Sequence, residues 1–295
     1  MSTSNLPDSK KPNLIVILGP TASGKTGWAL KLCEKFNGEI VSADSRQIYR
    51  EMNIGTGKID GISSLPSPLL YKEGVGGGEN IPQHMIDIVN PDEILTLPQY
   101  KKQALNCIYD IINRGKIPFL VGGTGLYISA IVDNLEIPEV EPDWNLRKNL
   151  EKMTLKEMQK ELKNLDPETY KEIDLNNKRR LIRALEVCKI TGKPFSKLRK
   201  KGAPLFNSLQ IGIDISKENL HKNIDKRVDQ MSEAGLEKEA NELAKKYIWD
   251  LPSMSGIGYR EFRADTQVRP YDNDAIFDEI KKHTRQYAKR QMTWF

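Results

Sequence analysis

The sequence has 295 residues, 29% of them charged and 38% hydrophobic, and a formal net charge of +5. These figures exclude a disordered chain and fit a soluble globular protein of one large domain or two, at ~100–200 residues each. The total charge is modest, so where it is concentrated matters more than its sum.

Residues 1–12 read as a disordered lead, too polar for a signal peptide, and the apolar run after it is too short for a membrane span. Cys33, Cys107 and Cys188 are far apart with no C-x-x-C, which points to a reducing compartment and away from a zinc site. A cytoplasmic protein is expected. Asn13–Leu18 is a short apolar strand. It leads into Gly19-Pro20-Thr21-Ala22-Ser23-Gly24-Lys25-Thr26, the pattern G-x-x-x-x-G-K-T. Trp28, Ala29, Leu32, Cys33 and Phe36 then recur at helical spacing as far as Asn37-Gly38. Strand, glycine loop and helix start place successive backbone N–H groups around an anion, so a phosphorylated ligand is expected, ATP or another nucleotide among the candidates, and the loop alone does not say which. Lys25 supplies a point charge for a terminal phosphate, and the Thr26 hydroxyl is a Mg²⁺ ligand candidate.

A second strand, Glu39–Ser42, runs into Ala43-Asp44-Ser45-Arg46-Gln47-Ile48-Tyr49. Ligands of open parallel sheets bind beyond the C-terminal strand ends, which puts Asp44 near the phosphate loop. A helix N-cap is the competing reading of Asp44. Residues 59–82 are rich in Pro and Gly and read as a mobile loop; Gly76-Gly77-Gly78 within it is a weak second phosphate candidate. A strand is expected at His84–Val89, a helix at Leu97–Asn113 and a strand at Ile117–Val121. That strand ends in Gly122-Gly123-Thr124-Gly125-Leu126-Tyr127, either a second place of ligand contact or a plain strand-to-helix turn.

This alternation predicts an α/β fold, a doubly wound parallel sheet of P-loop NTPase type. Pro138 and Pro142 break it, and helices alone are expected through residue 201, at Trp144–Asn164, Pro167–Ile173 and Lys178–Thr191. The expected organisation is a core of 13–137 and 202–295 with an all-helical insertion at 138–201. Residues 176–201 hold ten Lys or Arg side chains against one acid, Glu186. Such a run is a solvated face or a polyanion site. A strand at Leu209–Ile215 returns the chain to the sheet. Helices follow over 217–246, interrupted at Gly235, and from Asp274 to Phe295.

No strand-end acid of the kind a nucleotide hydrolase uses is evident. The late strand ends Val121-Gly122-Gly123, and Asp87 is flanked by isoleucines. No N-K-x-D guanine reader is present. The phosphate loop therefore suits transfer: phosphoryl transfer to a small molecule, or displacement of a whole diphosphate.

Several stretches together make the chain resemble the tRNA dimethylallyltransferase family. They are Gly19–Thr26, Ser42–Tyr49 (S-A-D-S-R-Q-I-Y), Ile54–Lys58 (I-G-T-G-K), Gly122–Tyr127, Arg179–Val187 (R-R-L-I-R-A-L-E-V), Arg227–Met231, Gly256–Glu261 (G-I-G-Y-R-E) and Thr284–Phe295. The resemblance implies that the N6 amine of the adenine 3′ of the anticodon attacks dimethylallyl diphosphate and diphosphate leaves. It implies a diphosphate cradle in Gly19–Thr26, with Lys25, Thr26 through Mg²⁺, and Arg227. Asp44 is then the general base. Contacts with the tRNA anticodon stem-loop fall to Asp44, Ser45, Arg46, Gln47, Thr124, Arg147, Arg179, Arg180, Leu181, Ile182, Arg183 and Ser255, Gly256, Ile257, Gly258, Tyr259, Arg260. A monomer with no membrane partner is expected. Against the family pattern, 59–82 is long and the chain stops at Trp294-Phe295, where relatives run on by a short tail. A phosphate-loop kinase with an arginine lid and a non-catalytic RNA-binding nucleotide switch are the alternatives.

Overall fold

The structure, a computed structural model, describes residues 11–58, 81–263 and 273–295. The lead expected before residue 11, Gly76–Gly78 and all but the last two residues of the loop expected at 59–82 lie outside the described residues. The described chain divides into two compact units, Met1–Val132 with Leu205–Phe295, and Asp133–Pro204.

The first unit is built on a five-stranded sheet among the described residues, formed by β1 (Asn13–Leu18), β2 (Gly38–Ser42), β3 (Gln83–His84), β4 (Ile117–Gly122) and β7 (Asn207–Gly212), in the order β3-β2-β4-β1-β7. Every pairing is parallel. Side chains alternate across β1. Leu14 and Val16 join one core cluster, while Ile17, with Ile15 beside it, joins another. A sheet buried on both faces needs this double apolar set. Helix α1 (Lys25–Phe36) covers the second face through Ala29 and Cys33. Helix α2 (Leu97–Asn113) covers the first through Tyr100, Ala104, Ile108 and Ile111, spaced at one helix face. Thr96 starts α2 with a capping box closed by Gln99. Further on come α3 (Gly125–Val132), α9 (Lys217–Glu233), α10 (Leu236–Lys246) and α11 (Asn273–Met292).

Registers Leu18↔Gly122 and Ser42↔Val121 align the C-terminal ends of β1, β2 and β4. The three loops that leave those ends carry Gly19–Thr26, Asp44–Gln47 and Gly123–Thr124, so the site is assembled by sheet register. The strand expected at His84–Val89 is shorter, stopping at His84. Met85 and Asp87 have φ of 64° and 53°, which breaks the pleat, although Val89 still bridges to Tyr49.

At the opposite end of β2, Glu39 is 1% exposed and accepts hydrogen bonds from Arg114, from Lys116 Nζ at 2.8 Å and from His84 Nε2 at 2.8 Å. Burial alone would raise its pKa; the bonds from Arg114, His84 and Lys116 outweigh it and hold the carboxyl below the usual carboxylate range. A depressed folded pKa gives stability that is present above the unfolded value and lost as pH falls below it. Glu39→Gln should cost about 2 kcal/mol at neutral pH, since Arg114 and Lys116 can still reach water. Denaturant melts should show the loss shrinking between about pH 5 and pH 2.

The second unit holds α4 (Trp144–Glu151), α5 (Leu155–Leu165), α6 (Pro167–Glu172), α7 (Lys178–Thr191) and α8 (Phe195–Leu198) around Leu150, Met158, Leu162, Leu181 and Leu185. The long helix expected at Trp144–Asn164 is two, because Thr154 caps α5 with a capping box from Glu157. The unit is not wholly helical: β5 (Leu135–Glu136) and β6 (Lys200–Lys201) pair antiparallel at its two ends.

Candidate active site

The phosphate loop turns out of β1 through left-handed backbone at Ala22 (φ 60°) and Gly24 (φ 85°), immediately before α1. Lys25 folds back and donates to Pro20 O at 2.7 Å. Burial pulls its pKa down to about 8, with Asp44 opposing and Arg227 adding to the fall. Ser23 Oγ is buried and has no hydrogen-bond partner among the described residues. Thr21 N–H already donates to Gln291 Oε1 at 2.8 Å.

The loop after β2 is locked to the turn after β4. Ala43 N–H donates to Val121 O at 2.7 Å and Thr124 N–H to Ala43 O at 3.1 Å. A Cβ on Gly122 would lie 2.2 Å from Ala43 O, so only glycine allows this approach. Ser45 N–H donates to Thr124 Oγ1 at 3.1 Å. Asp44 caps no helix; its Oδ1 accepts Arg46 N–H at 2.8 Å, a local turn. Arg46 reaches across to Pro252 O at 2.9 Å and Ser253 O at 3.2 Å, tying this loop to the segment 252–260.

Arg227, on α9, donates to Thr56 O at 3.4 Å. Its guanidinium lies so close to Gly57 that a Cβ there would be 1.6 Å from Nη2. Burial lowers the Arg227 pKa and Asp44 opposes this. Both site cations, Lys25 and Arg227, thus feel the Asp44 carboxylate. Lys58, from the same I-G-T-G-K loop, pairs with Asp87. In the segment 255–260, Gly258 N–H donates to Glu261 Oε2 at 2.8 Å and Arg260 Nε to Glu261 Oε1 at 2.7 Å. Tyr259 is 1% exposed, held by its hydroxyl to Glu239 Oε1 at 2.7 Å.

This assembly, with its sequence, has close counterparts among known proteins. The chain matches the IPP transferase family over residues 47–295 and the isopentenyl transferase family over residues 12–61. A tRNA dimethylallyltransferase of Roseiflexus sp. is 42% identical, over 96% of this chain and 89% of the relative. One of Microcystis aeruginosa is 44% identical, over 100% and 87%. The chain belongs to the tRNA dimethylallyltransferase family. The family fold agrees. A tRNA isopentenylpyrophosphate transferase of Staphylococcus epidermidis superposes with a TM-score of 0.63 at 36% identity, covering 97% of this chain and 90% of that one. A eukaryotic dimethylallyltransferase solved acting on tRNA gives 0.76 at 29% identity, covering 96% and 69%.

In this member of the tRNA dimethylallyltransferase family, the basic stretch of the helical unit sorts into distinct roles. Glu186 is fully buried and accepts Arg147 Nε at 2.7 Å, Arg147 Nη2 at 2.8 Å, Arg183 Nη1 at 2.6 Å and Asp143 N–H at 2.9 Å. Burial would raise its pKa; Arg147 and Arg183 reverse that and lower it. Leu181 and Ile182 lie in the unit's core. Arg179 and Arg180 are exposed at the start of α7, as is Lys178 beside them.

Three residues of the first unit escaped sequence reasoning. Gln291, 5% exposed on α11, accepts Thr21 N–H and donates to Gly123 O at 2.7 Å, joining the phosphate loop to the β4 turn. Tyr287, also on α11, hydrogen-bonds Thr124; burial, with Asp44 adding, pushes its pKa to about 12. Glu239 gathers the backbone amides of Asn53, Ile54 and Gly55, where the I-G-T-G-K loop begins. Gln291 and Tyr287 lie in the quoted stretch Thr284–Phe295, which was the one available signal. Among the described residues no helix is long and apolar enough to cross a membrane, and no group of three or more His, Cys, Asp or Glu side chains is arranged to hold a metal.

Proposed function

We propose that this chain transfers the dimethylallyl group of dimethylallyl diphosphate to the N6 amine of the adenine 3′ of the anticodon in tRNA. The carbon–oxygen bond to diphosphate breaks, a carbon–nitrogen bond forms, diphosphate leaves, and the amine proton passes to Asp44. One observation carries the reading: strand register sets an anion cradle with Lys25 and Arg227 beside a carboxylate, Asp44, in a chain of the tRNA dimethylallyltransferase family.

The loop amides other than those of Thr21 and Ser23, which already donate within the protein, face charge that grows on the leaving diphosphate together with Ser23 Oγ, Lys25 and Arg227, where fixed donors act most strongly. Mg²⁺ fits here. The Thr26 hydroxyl, in the first turn of α1 beside the phosphate loop, would hold the ion together with water and the substrate's own phosphate oxygens. When bound, it supplies further neutralisation of the diphosphate charge. The adenine must leave its stack to reach Asp44. The proposed tRNA contacts there are Ser45, Gln47, Thr124 and the segment 255–260: Ser45, next to Asp44, is bonded to Thr124, and Arg46 ties this loop to Pro252 and Ser253. A monomer is the proposed working unit.

The test is mass spectrometry of tRNA nucleosides after incubation with dimethylallyl diphosphate and Mg²⁺. N6-dimethylallyl adenosine is expected at one position. ADP formed from ATP without RNA modification would instead indicate a kinase.

A further prediction separates RNA contact from scaffold. Arg179→Ala with Arg180→Ala should leave the melting temperature unchanged. The log-log salt slope of tRNA binding should become shallower by about 0.7–0.9 per lost phosphate contact. Arg147→Ala should lower the melting temperature, because it strips the buried Glu186 of two hydrogen bonds. An unchanged slope in the first variant would leave Arg179 and Arg180 as solvated surface.

A further inference from the structure

Glu239 stands in the first turn of α10 and takes no part in the chemistry above. Its Oε2 accepts Asn53 N–H at 3.0 Å and Ile54 N–H at 2.9 Å. Its Oε1 accepts Gly55 N–H at 3.1 Å and the Tyr259 hydroxyl at 2.7 Å. Four donors thus occupy a carboxylate with about four acceptor positions. Three successive amides converging on one anion form a backbone nest, here filled by the protein's own side chain.

The loop held in this way is the one that seats Arg227. Thr56 O accepts from Arg227 Nη2, and Gly57, at φ 63°, passes where any side chain would overlap the guanidinium. Gln47 Nε2 approaches Thr56 O and Gly57 O at 3.5 Å each. Tyr259 is fitted to the same loop, since a Cβ on Gly55 would lie 2.5 Å from its ring.

We infer that Glu239 is a positioning residue: by clamping Asn53–Gly55 and Tyr259 it fixes the loop that aims Arg227 at the diphosphate. This rests on the reading of Arg227 as a diphosphate ligand. A carboxylate that merely stapled a surface loop would set stability and leave anion affinity alone. A carboxylate that aims Arg227 affects anion affinity only while Arg227 is there.

The experiment is a double-mutant cycle with inorganic diphosphate and Mg²⁺ as the probe, read by calorimetry, with melting temperatures for each protein. Glu239→Gln keeps the shape but replaces one acceptor oxygen by a donor. It should weaken diphosphate binding about tenfold in the parent and hardly at all in the Arg227→Ala background, a coupling of the size contacting groups reach. Equal losses in both backgrounds overturn the inference. Should Glu239→Gln fail to fold, Tyr259→Phe removes one of the four donors and should show the same dependence on Arg227, with a smaller loss. If Arg227→Ala alone leaves diphosphate affinity unchanged, the reading beneath fails and the inference with it.

Discussion

Lys25→Ala is expected to lower kcat by at least about two orders of magnitude, the loss seen when one preorganised electrostatic stabiliser is removed. The ammonium matters most when charge has moved onto the leaving diphosphate, so the loss belongs to kcat more than to tRNA binding. Lys25 donates to the Pro20 carbonyl, and burial holds its pKa near 8. A bound polyanion favours the protonated form and raises that pKa. Above about pH 8 the free protein has lost a proton that the complex keeps, so binding takes one up. Diphosphate affinity should therefore fall as pH rises through this range. The titration of diphosphate itself is common to both proteins, so the difference between parent and Lys25→Ala isolates the lysine. Single-turnover rates at saturating tRNA, with affinities at several pH values, test both parts. Near-normal turnover in the variant would sink the assignment of the loop.

The elements that local chemistry determines are the ones the sequence already exposes. Asn13–Leu18, Leu97–Asn113 and Lys178–Thr191 begin and end where apolar spacing and caps place them. Thr96 and Asn177 are N-caps, and Gly192 closes α7 in left-handed backbone. The His84–Val89 stretch misleads because a β-rich composition says nothing of the positive φ at Met85 and Asp87. Thr154 was legible as a cap, with Glu157 three residues on, yet the apolar spacing runs across it and suggests one helix. The site divides in the same way. The phosphate loop is a contiguous pattern with its own mechanism. Gln291 lies 270 positions from Thr21 and Glu239 lies 184 from Gly55, so no local period can announce either. Glu239 in particular sits among other acids and lysines of α10, where it reads as solvated surface. Likewise nothing local in the sequence announces that the buried Glu186 pairs with both Arg147 and Arg183.

Asp44→Asn separates scaffold from chemistry more sharply than any other single change. The hydrogen bond that Asp44 makes, Oδ1 from Arg46 N–H at 2.8 Å, is one that an Asn side-chain oxygen can also accept. The turn into Ser45, and the tie from Ser45 N–H to Thr124, should persist, and the melting temperature should hold. The carboxylate charge is what the variant loses. Asn cannot take the amine proton, so kcat should fall by about 10²–10⁴, the range for a missing general base. Diphosphate binding should not weaken in parallel. Asp44 favours the charged forms of Lys25 and Arg227, yet as an anion beside the cradle it also repels the ligand, and these effects oppose one another. A base that acts after the carbon–nitrogen bond has formed can be replaced by water, because an alkylated amine sheds its proton readily. A fall of less than about tenfold, with tRNA affinity intact, would assign proton removal to that later step. Melting temperature, tRNA affinity and single-turnover rate, measured on the same variant, distinguish these cases. Full activity at an unchanged melting temperature would reduce Asp44 to a turn-former and remove the general base from the mechanism.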